Sequence, residues 1–301
     1  MVSQPARRGN GERRLRLNRG LPVFMLAPAV VVLAALTLFP ISYVAYLSLT
    51  DLSANTPDGA FIGLANYQLI GSDPAFWDSL RVTGLFTTAA VALEFLLGFG
   101  IALLLNRRLR GLGVVRTLLL LPMVMTPVIV GLTWRMLYSP TYGILDYLLA
   151  QVGLAQPGWL DDGHLALWSV VAVDVWQWTP FMFLLLTAGL HSLPTEPYEA
   201  ARVDGASWYA SFRLLTLPLM RNIIIIALIF RAIDAFDTFD IIWVLTNGGP
   251  GTTTQTLTIY SYFQSFRWFN FSYGAALSVV MLLIVAVFCI VMAALMRREP
   301  V

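Results

Sequence analysis

The sequence predicts an all-α integral membrane protein with six transmembrane helices, on three observations. Of its 301 residues, 58% are hydrophobic and only 12% are charged, against about 25% charged in a typical soluble domain. The apolar residues gather into runs as long as a bilayer is thick. The basic residues, 19 in all and every one Arg, fall in alternate loops. A soluble fold has no means of hiding so much apolar surface, whereas hydrocarbon accepts it.

A spanning helix needs about 20 mainly apolar residues. Six segments meet that length: Val23–Leu47, Val82–Leu105, Leu112–Leu137, Ala166–Leu190, Ile223–Leu245 and Gly274–Met296. Residues 1–20 form an arginine-rich tail whose Arg, Gly and Asn content predicts disorder, and residues 21–301 form the membrane domain. The first run is longer than the apolar core of a signal peptide and no small-residue cleavage site follows it, so it is read as a retained helix. Pro28, Pro40, Pro122, Pro127 and Pro180 fall inside the runs, where neighbouring helices or water satisfy the carbonyls they release. The loop Asp51 to Leu80 carries Phe61-Ile-Gly-Leu-Ala-Asn-Tyr67 and is expected to hold a short helix. The loop Tyr138 to Leu165 has an apolar stretch at Ile144–Val152 that reads as a short interfacial helix, with Trp159 at headgroup level. Neither loop has the length of a separate catalytic domain, and no internal repeat is found.

Arginine placement orients the chain. Arg7, Arg8, Arg13, Arg14, Arg16 and Arg19 lie in the tail. Arg107, Arg108, Arg110 and Arg116 follow span two, Arg202, Arg213 and Arg221 follow span four, and Arg297 and Arg298 close the chain. The opposite loops hold Asp51, Asp58, Asp73, Asp78, Asp146, Asp161 and Asp162, with Arg267 as an interruption. Both termini and the loop 191–221 are therefore expected in the cytoplasm.

Several function classes are excluded. Cys289 is the sole cysteine, which rules out an internal disulfide and a Cys/His metal cluster. His164 and His191 lie outside the predicted spans, and no His/Asp/Ser set shares one aqueous region, so no catalytic residue is assigned. A net charge of +2 gives no footing for nucleic acid. With no Lys the chain lacks the residue a P-loop places on the phosphates. It is expected to bind no cofactor, so any ATP energy comes from another polypeptide.

The loop 191–221 is a polar island between apolar spans. Pro194 and Pro197 break the chain after span four. Glu199 falls in the first turn of a short helix, where negative charge suits the dipole. Ala200 and Ala201 favour helix and leave a low surface; Asp204 and Gly205 follow, and Gly205 permits a turn other residues resist. A second short helix is expected from Trp208 to Leu215, ended by Pro218. Such a knob fits a groove on a rigid partner, while an ordinary connecting surface helix is the plainer reading.

The order Glu199-Ala-Ala, Gly205, Leu215-Thr-Leu-Pro218 resembles the coupling loop of bacterial ABC-importer permeases, with Leu215 where that family more often has Ile. Asp237-Thr-Phe-Asp-Ile-Ile-Trp-Val-Leu-Thr-Asn-Gly-Gly-Pro250, Thr253-Thr-Gln-Thr-Leu257 and Asp174-Val-Trp-Gln-Trp-Thr-Pro-Phe181 are similar to the carbohydrate-type, maltose and glycerol-phosphate, members. The likeness runs from span one onward and leaves out the tail before Leu21. It implies a type I importer permease fold with cytoplasmic coupling helices in the bacterial inner membrane. It also implies a second permease chain, two ATPase subunits that carry ATP and Mg, and an extracytoplasmic solute-binding protein. Glu199, Ala200, Ala201, Asp204, Gly205 and Pro218 are then the candidates for coupling to the ATPase.

Ionisable groups in hydrocarbon are costly and normally face a bundle interior or cavity. Arg231 and Asp234 are three apart and are placed to pair along their helix. Glu94 and Asp174 have no partner nearby in sequence, and both Arg135 and Arg231 are available to them. Trp176, Gln177 and Trp178 offer the mix of ring faces and amide that a sugar needs; packing alone also explains them. Together with Asp234, Asp237 and Asp240 they form the candidate substrate path. Tyr260, Tyr262, Phe263, Phe266, Trp268 and Phe269 read as an aromatic belt. The leading expectation is an importer permease for a carbohydrate. The alternatives are the same machine for a polyol or glycerophosphodiester, and an ion-coupled secondary transporter using the span-five acids. An intramembrane enzyme lacks a catalytic set.

Overall fold

A computed structural model describes residues 20–106 and 111–297. The tail before Gly20, Arg107, Arg108, Arg110 and Arg298 lie outside the described residues, as does the disorder expected of the tail. The described chain is helical, with α1 at Gly20–Leu47, α2 at Ala65–Ser72, α3 at Pro74–Leu105 and α4 at Leu112–Val124. Next come α5 at Pro127–Leu137, α6 at Ile144–Gln151, α7 at Ala166–His191, α8 at Glu196–Val203 and α9 at Trp208–Ser211. The series closes with α10 at Leu217–Phe236, α11 at Asp240–Thr246, α12 at Leu257–Tyr262 and α13 at Phe271–Arg297. Among the described residues five helices are long and apolar enough to cross a membrane, or six if α4 and α5, bent by 96° at their break, are counted as one span. The short helices expected in the two outer loops are α2 and α6. Arg81, counted with neither set of loops, lies inside α3 two turns from its start.

α3 and α7 form the spine, with α10 packed against both. Gly98 lets the two spine helices meet: a Cβ built there would lie 2.6 Å from the Met182 Cβ. Small residues at such crossings substitute close packing for a hydrophobic drive that lipid does not supply. Phe86, Val130, Val170, Met182, Leu186 and Met220 fill the core. By contrast α1 and α13 pair with each other at the periphery and leave most of their apolar surface exposed, as bilayer-facing helices do.

Two predicted spans are interrupted. Span three breaks at Met125 and Thr126, both extended. Pro127 forces that conformation on the residue before it and has no N–H to carry the ladder across. Gln177 Nε2 donates to the released Met125 carbonyl at 3.0 Å. Span five, expected to reach Leu245, ends at Phe236, and α11 turns away to pack on α5. Thr238 sits at the break: its hydroxyl donates back to the Asp234 carbonyl at 3.1 Å and its own carbonyl accepts from Thr258 Oγ1 at 3.0 Å. Side-chain bonds of this kind compete with the helix ladder.

A third correction concerns Pro218. It does not end a helix; α9 runs through a π turn at Phe212–Thr216 straight into α10, giving one helix from Trp208 to Phe236. The wider π turn makes room for a proline ring that would strike the carbonyl four residues back in a regular helix.

At the end of the bundle opposite the α8–α9 loop a second apolar cluster forms around Ile70, Phe76, Leu257 and Leu277. Asp73 anchors it. Its Oδ1 caps α3 by accepting from the Ala75 amide at 2.9 Å, and its Oδ2 accepts from Tyr273 at 2.5 Å and from Tyr260. Burial works to raise the Asp73 carboxyl, but these hydroxyls and the Ala75 and Phe76 amides favour its charged form and hold it below its ordinary 3.8. Of the expected aromatic belt, Tyr260 and Phe263 are buried, while Phe266, Trp268 and Phe269 are exposed. Trp159 is half-buried, donating its indole N–H to the buried Asp146 at 2.7 Å and packing on Tyr138.

Candidate functional site

Two regions gather the residues singled out in the sequence, and one helix joins them. The first is the knob at α8 and α9. Glu196 and Glu199 occupy the first turn of α8 and Arg202 its last, each suited to the helix dipole. The helix ends in a Schellman motif: the Gly205 amide donates to the Arg202 carbonyl at 3.2 Å and the Ala206 amide to the Ala201 carbonyl at 2.9 Å. Gly205 holds φ at +73° with open space where a Cβ would stand, so conformation and not crowding demands the glycine. Ser207 then caps α9 through its hydroxyl, which accepts from the Ala210 amide at 3.2 Å. This cap carries a plain sequence signal, a Ser just before the helix, that was passed over.

No residue of α8 is buried, whereas its Tyr198 reaches back and donates to Thr216 at 3.1 Å, inside the π turn. Trp208 stacks on Phe212 with centroids 5.5 Å apart, and Phe212 packs on Phe99 of α3 at 5.8 Å. The knob is therefore exposed on one side and braced against α3 and α10 on the other. A cavity of about 780 Å³ separates it from the C-terminal ends of α3 and α7, lined by Leu103, Leu190, Tyr198, Arg202 and Phe212 among others.

The second region surrounds Arg231. Its Nε and Nη2 hold the two oxygens of Glu94 at 2.6 and 2.9 Å, Nη2 also bonds Asp174, and Nη1 bonds Asp234 at 2.7 Å. Arg231, Glu94 and Asp174 are buried, while the Asp234 side chain is 52% exposed. The guanidinium carbon lies 5.2 Å from the Trp178 ring centroid. The fork geometry that Arg alone offers thus ties α3, α7 and α10 together. Arg135 takes no part; it donates to the Val244 carbonyl at 3.1 Å.

Asp234 also opens onto a cavity of about 480 Å³ that Trp178, Phe230, Asp237, Phe239 and Asp240 help to line. Asp237 is shared with two adjoining cavities, of about 360 and 490 Å³, which run toward α12 and α13. The result is a cleft along one face of the bundle, centred on the break after α10. Discontinuous helices are where membrane transporters build their sites. Trp178, Asp234, Asp237 and Asp240 come together here. Trp176 does not line it; that ring is 40% exposed and meets Trp134 edge-on at 5.5 Å. Gln177 is fully buried and spends its amide on the span-three break. Phe230 and Phe239 were missed, although Phe230, Asp234 and Asp237 recur at helical spacing.

No group of His, Cys, Asp and Glu able to hold a metal occurs among the described residues. A polytopic helical bundle with an exposed polar knob, a lateral cleft and one helix linking them is built to move, not to make bonds: it is a membrane transport subunit. The chain belongs to the family described as the inner membrane component of binding-protein-dependent transport systems, whose pattern residues 94–298 match. It is 38% identical over 271 residues to the trehalose/maltose transport system permease protein MalF of Thermococcus litoralis, covering 90% of this chain and 92% of that one. It is 34% identical over 273 residues to the sn-glycerol-3-phosphate transport system permease protein UgpA of Agrobacterium fabrum, covering 89% and 92%. The fold matches a crystal structure of a bacterial ABC transporter involved in import of the acidic polysaccharide alginate. That match has a TM-score of 0.81 at 20% identity and covers 93% of this chain and 96% of the other. The chain is thus an ABC-importer permease with a type I fold, and the ATPase is a separate partner.

Proposed function

We propose that this chain forms half of the translocation path of an ATP-driven importer for a carbohydrate, with both termini and the α8–α9 knob in the cytoplasm. The observation that carries the reading is the single helix from Trp208 to Phe236, with the exposed knob at one end and the Asp237 cleft at the other. A second permease chain completes the path. Two ATPase subunits receive the knobs, and an extracytoplasmic binding protein delivers the solute. Trehalose or maltose in the name of one relative supports a sugar; a polyol or its phosphodiester is the neighbouring alternative, supported by the glycerol-phosphate relative.

In this mechanism Glu199, Ala200, Ala201, Asp204 and Gly205 present the knob, and ATP-driven closure of the ATPase pair moves it. The π turn before Pro218 passes that motion to α10, and the cleft alternates between outer and inner openings. Moving the spans from mostly one opening to mostly the other takes roughly 5 kcal/mol of differential contact. ATP and Mg reside on the partner.

Gly205→Pro tests the coupling. Proline cannot adopt the +73° φ of Gly205, so the knob distorts while the spans remain. The expected result is a membrane-inserted complex whose ATP hydrolysis no longer drives uptake. Normal uptake at normal abundance would sink the coupling role.

A further inference from the structure

We propose that the Asp237 cleft selects uncharged polyhydroxy solutes and rejects anionic ones, with Asp237 and Asp240 as specificity-determining residues. This rests on reading the cleft as the solute path. The charged residues lining its three cavities are Asp234, Asp237 and Asp240, and no Arg or His lines them among the described residues. The nearest cation, Arg231, lies behind the wall and is 1% exposed. Its donors are engaged by Glu94, Asp174 and Asp234, and the Trp178 ring stands 5.2 Å away over the guanidinium. One guanidinium therefore faces three carboxyl groups and leaves no free positive charge for a solute.

A phosphate, sulfonate or carboxylate entering the cleft would meet carboxyl groups and no accessible cation on this chain's side of it, in surroundings that screen charge less than water does. To reach Arg231 it would have to displace the two-point grip of Glu94. An uncharged saccharide meets the opposite situation. Its hydroxyls donate to Asp237 and Asp240, and its C–H faces lie against Phe230, Phe239 and Trp178. Membership of the family does not settle the charge of the cargo, since one relative bears the name of a neutral disaccharide system and another that of glycerol 3-phosphate. The acids on this chain's side of the path bear on that charge.

The test uses the permease pair with its ATPase subunits in nanodiscs, without a binding protein that would impose its own selection. Equilibrium binding of trehalose and of maltose is compared with binding of the 6-phosphate of each. The phosphates are expected to bind at least about tenfold more weakly at low salt, with the gap narrowing as ionic strength rises. In Asp237→Asn/Asp240→Asn the ratio of phosphate to neutral binding should rise at least about fivefold. Equal binding of sugar and phosphate, or a salt-independent gap, would overturn the charge selection in the unaltered complex even if the double variant fails to assemble. An unmoved ratio in a folded double variant would remove these residues from it. Binding by none of the four probes would instead reject the carbohydrate reading of the cleft.

Discussion

Arg231 is the residue on which the membrane core depends most. Removing a cation from a buried cluster leaves its carboxylates uncompensated, at a cost of about 3–5 kcal/mol. Arg231→Met is therefore expected to lower the unfolding temperature sharply in a detergent melt. Arg231→Lys should rescue little of it, because an ammonium cannot grip both Glu94 oxygens. A melt of Arg231→Met equal to that of the unaltered chain would reject the structural weight given to the cluster. Only part of this cluster was legible in the sequence. Arg231 and Asp234 sit three apart and pair as helical spacing predicts. Glu94 lies 137 residues from Arg231, and no local pattern carries a partner that distant. Asp73 is a second anchor. Asp73→Asn keeps the α3 cap, since an amide oxygen accepts from the Ala75 N–H as well, and should lose about 2 kcal/mol from the charge-assisted bonds to Tyr260 and Tyr273. Because the folded carboxyl titrates below 3.8, its stabilisation is present in full above the unfolded value and is lost as pH falls through the folded one. A pH series of melts should show the Asn variant converging on the unaltered chain in acid, below 3.8, and not in alkali.

At the scale of elements, α1, α7 and α13 begin and end within about three residues of where hydropathy put them, whereas α3 starts at Pro74, well before the expected Val82. The errors cluster at polar or proline-bearing junctions. Pro127 broke a span that hydropathy alone called continuous, because mean hydropathy is blind to a missing N–H. Pro218 did the reverse, since a π turn absorbed a ring that a regular helix refuses. Asp237–Phe239 interrupted span five through the two bonds of Thr238, one of them to a threonine 20 residues on. The knob was legible in outline because its signals are local: acids in the first turn, Gly205 past the last, prolines on either side. The brace was not, as Tyr198 with Thr216 and Phe212 with Phe99 join separate elements. Phe212→Ala removes the ring linking α9 to α3 and should cost about 3 kcal/mol or less, given its partial burial. If α10 is driven through this brace, uptake in Phe212→Ala should fall more than ATP hydrolysis does. Parallel loss of both would mean that the ring serves packing alone.

For the molecule as a whole, the decisive question is where the energy enters. The chain holds no Lys and hence no P-loop lysine for the β/γ-phosphates. The purified subunit is expected neither to bind nor to hydrolyse ATP, with hydrolysis appearing when a P-loop partner copurifies and rising further with a solute-loaded binding protein. The acids of the cleft admit a rival account, in which Asp234, Asp237 or Asp240 carries a proton or cation down its gradient. Family membership weighs against it: residues 94–298 match the inner membrane component of binding-protein-dependent transport systems. Liposomes containing only the permease pair, given an imposed proton or sodium gradient and no ATPase, separate the two. No concentrative uptake of saccharide is expected, because without a partner that prefers one position of the knob nothing biases the cleft between its openings. Robust uptake under the gradient alone would reject the ATP-driven mechanism, and the α8–α9 knob would then be only a connection between spans.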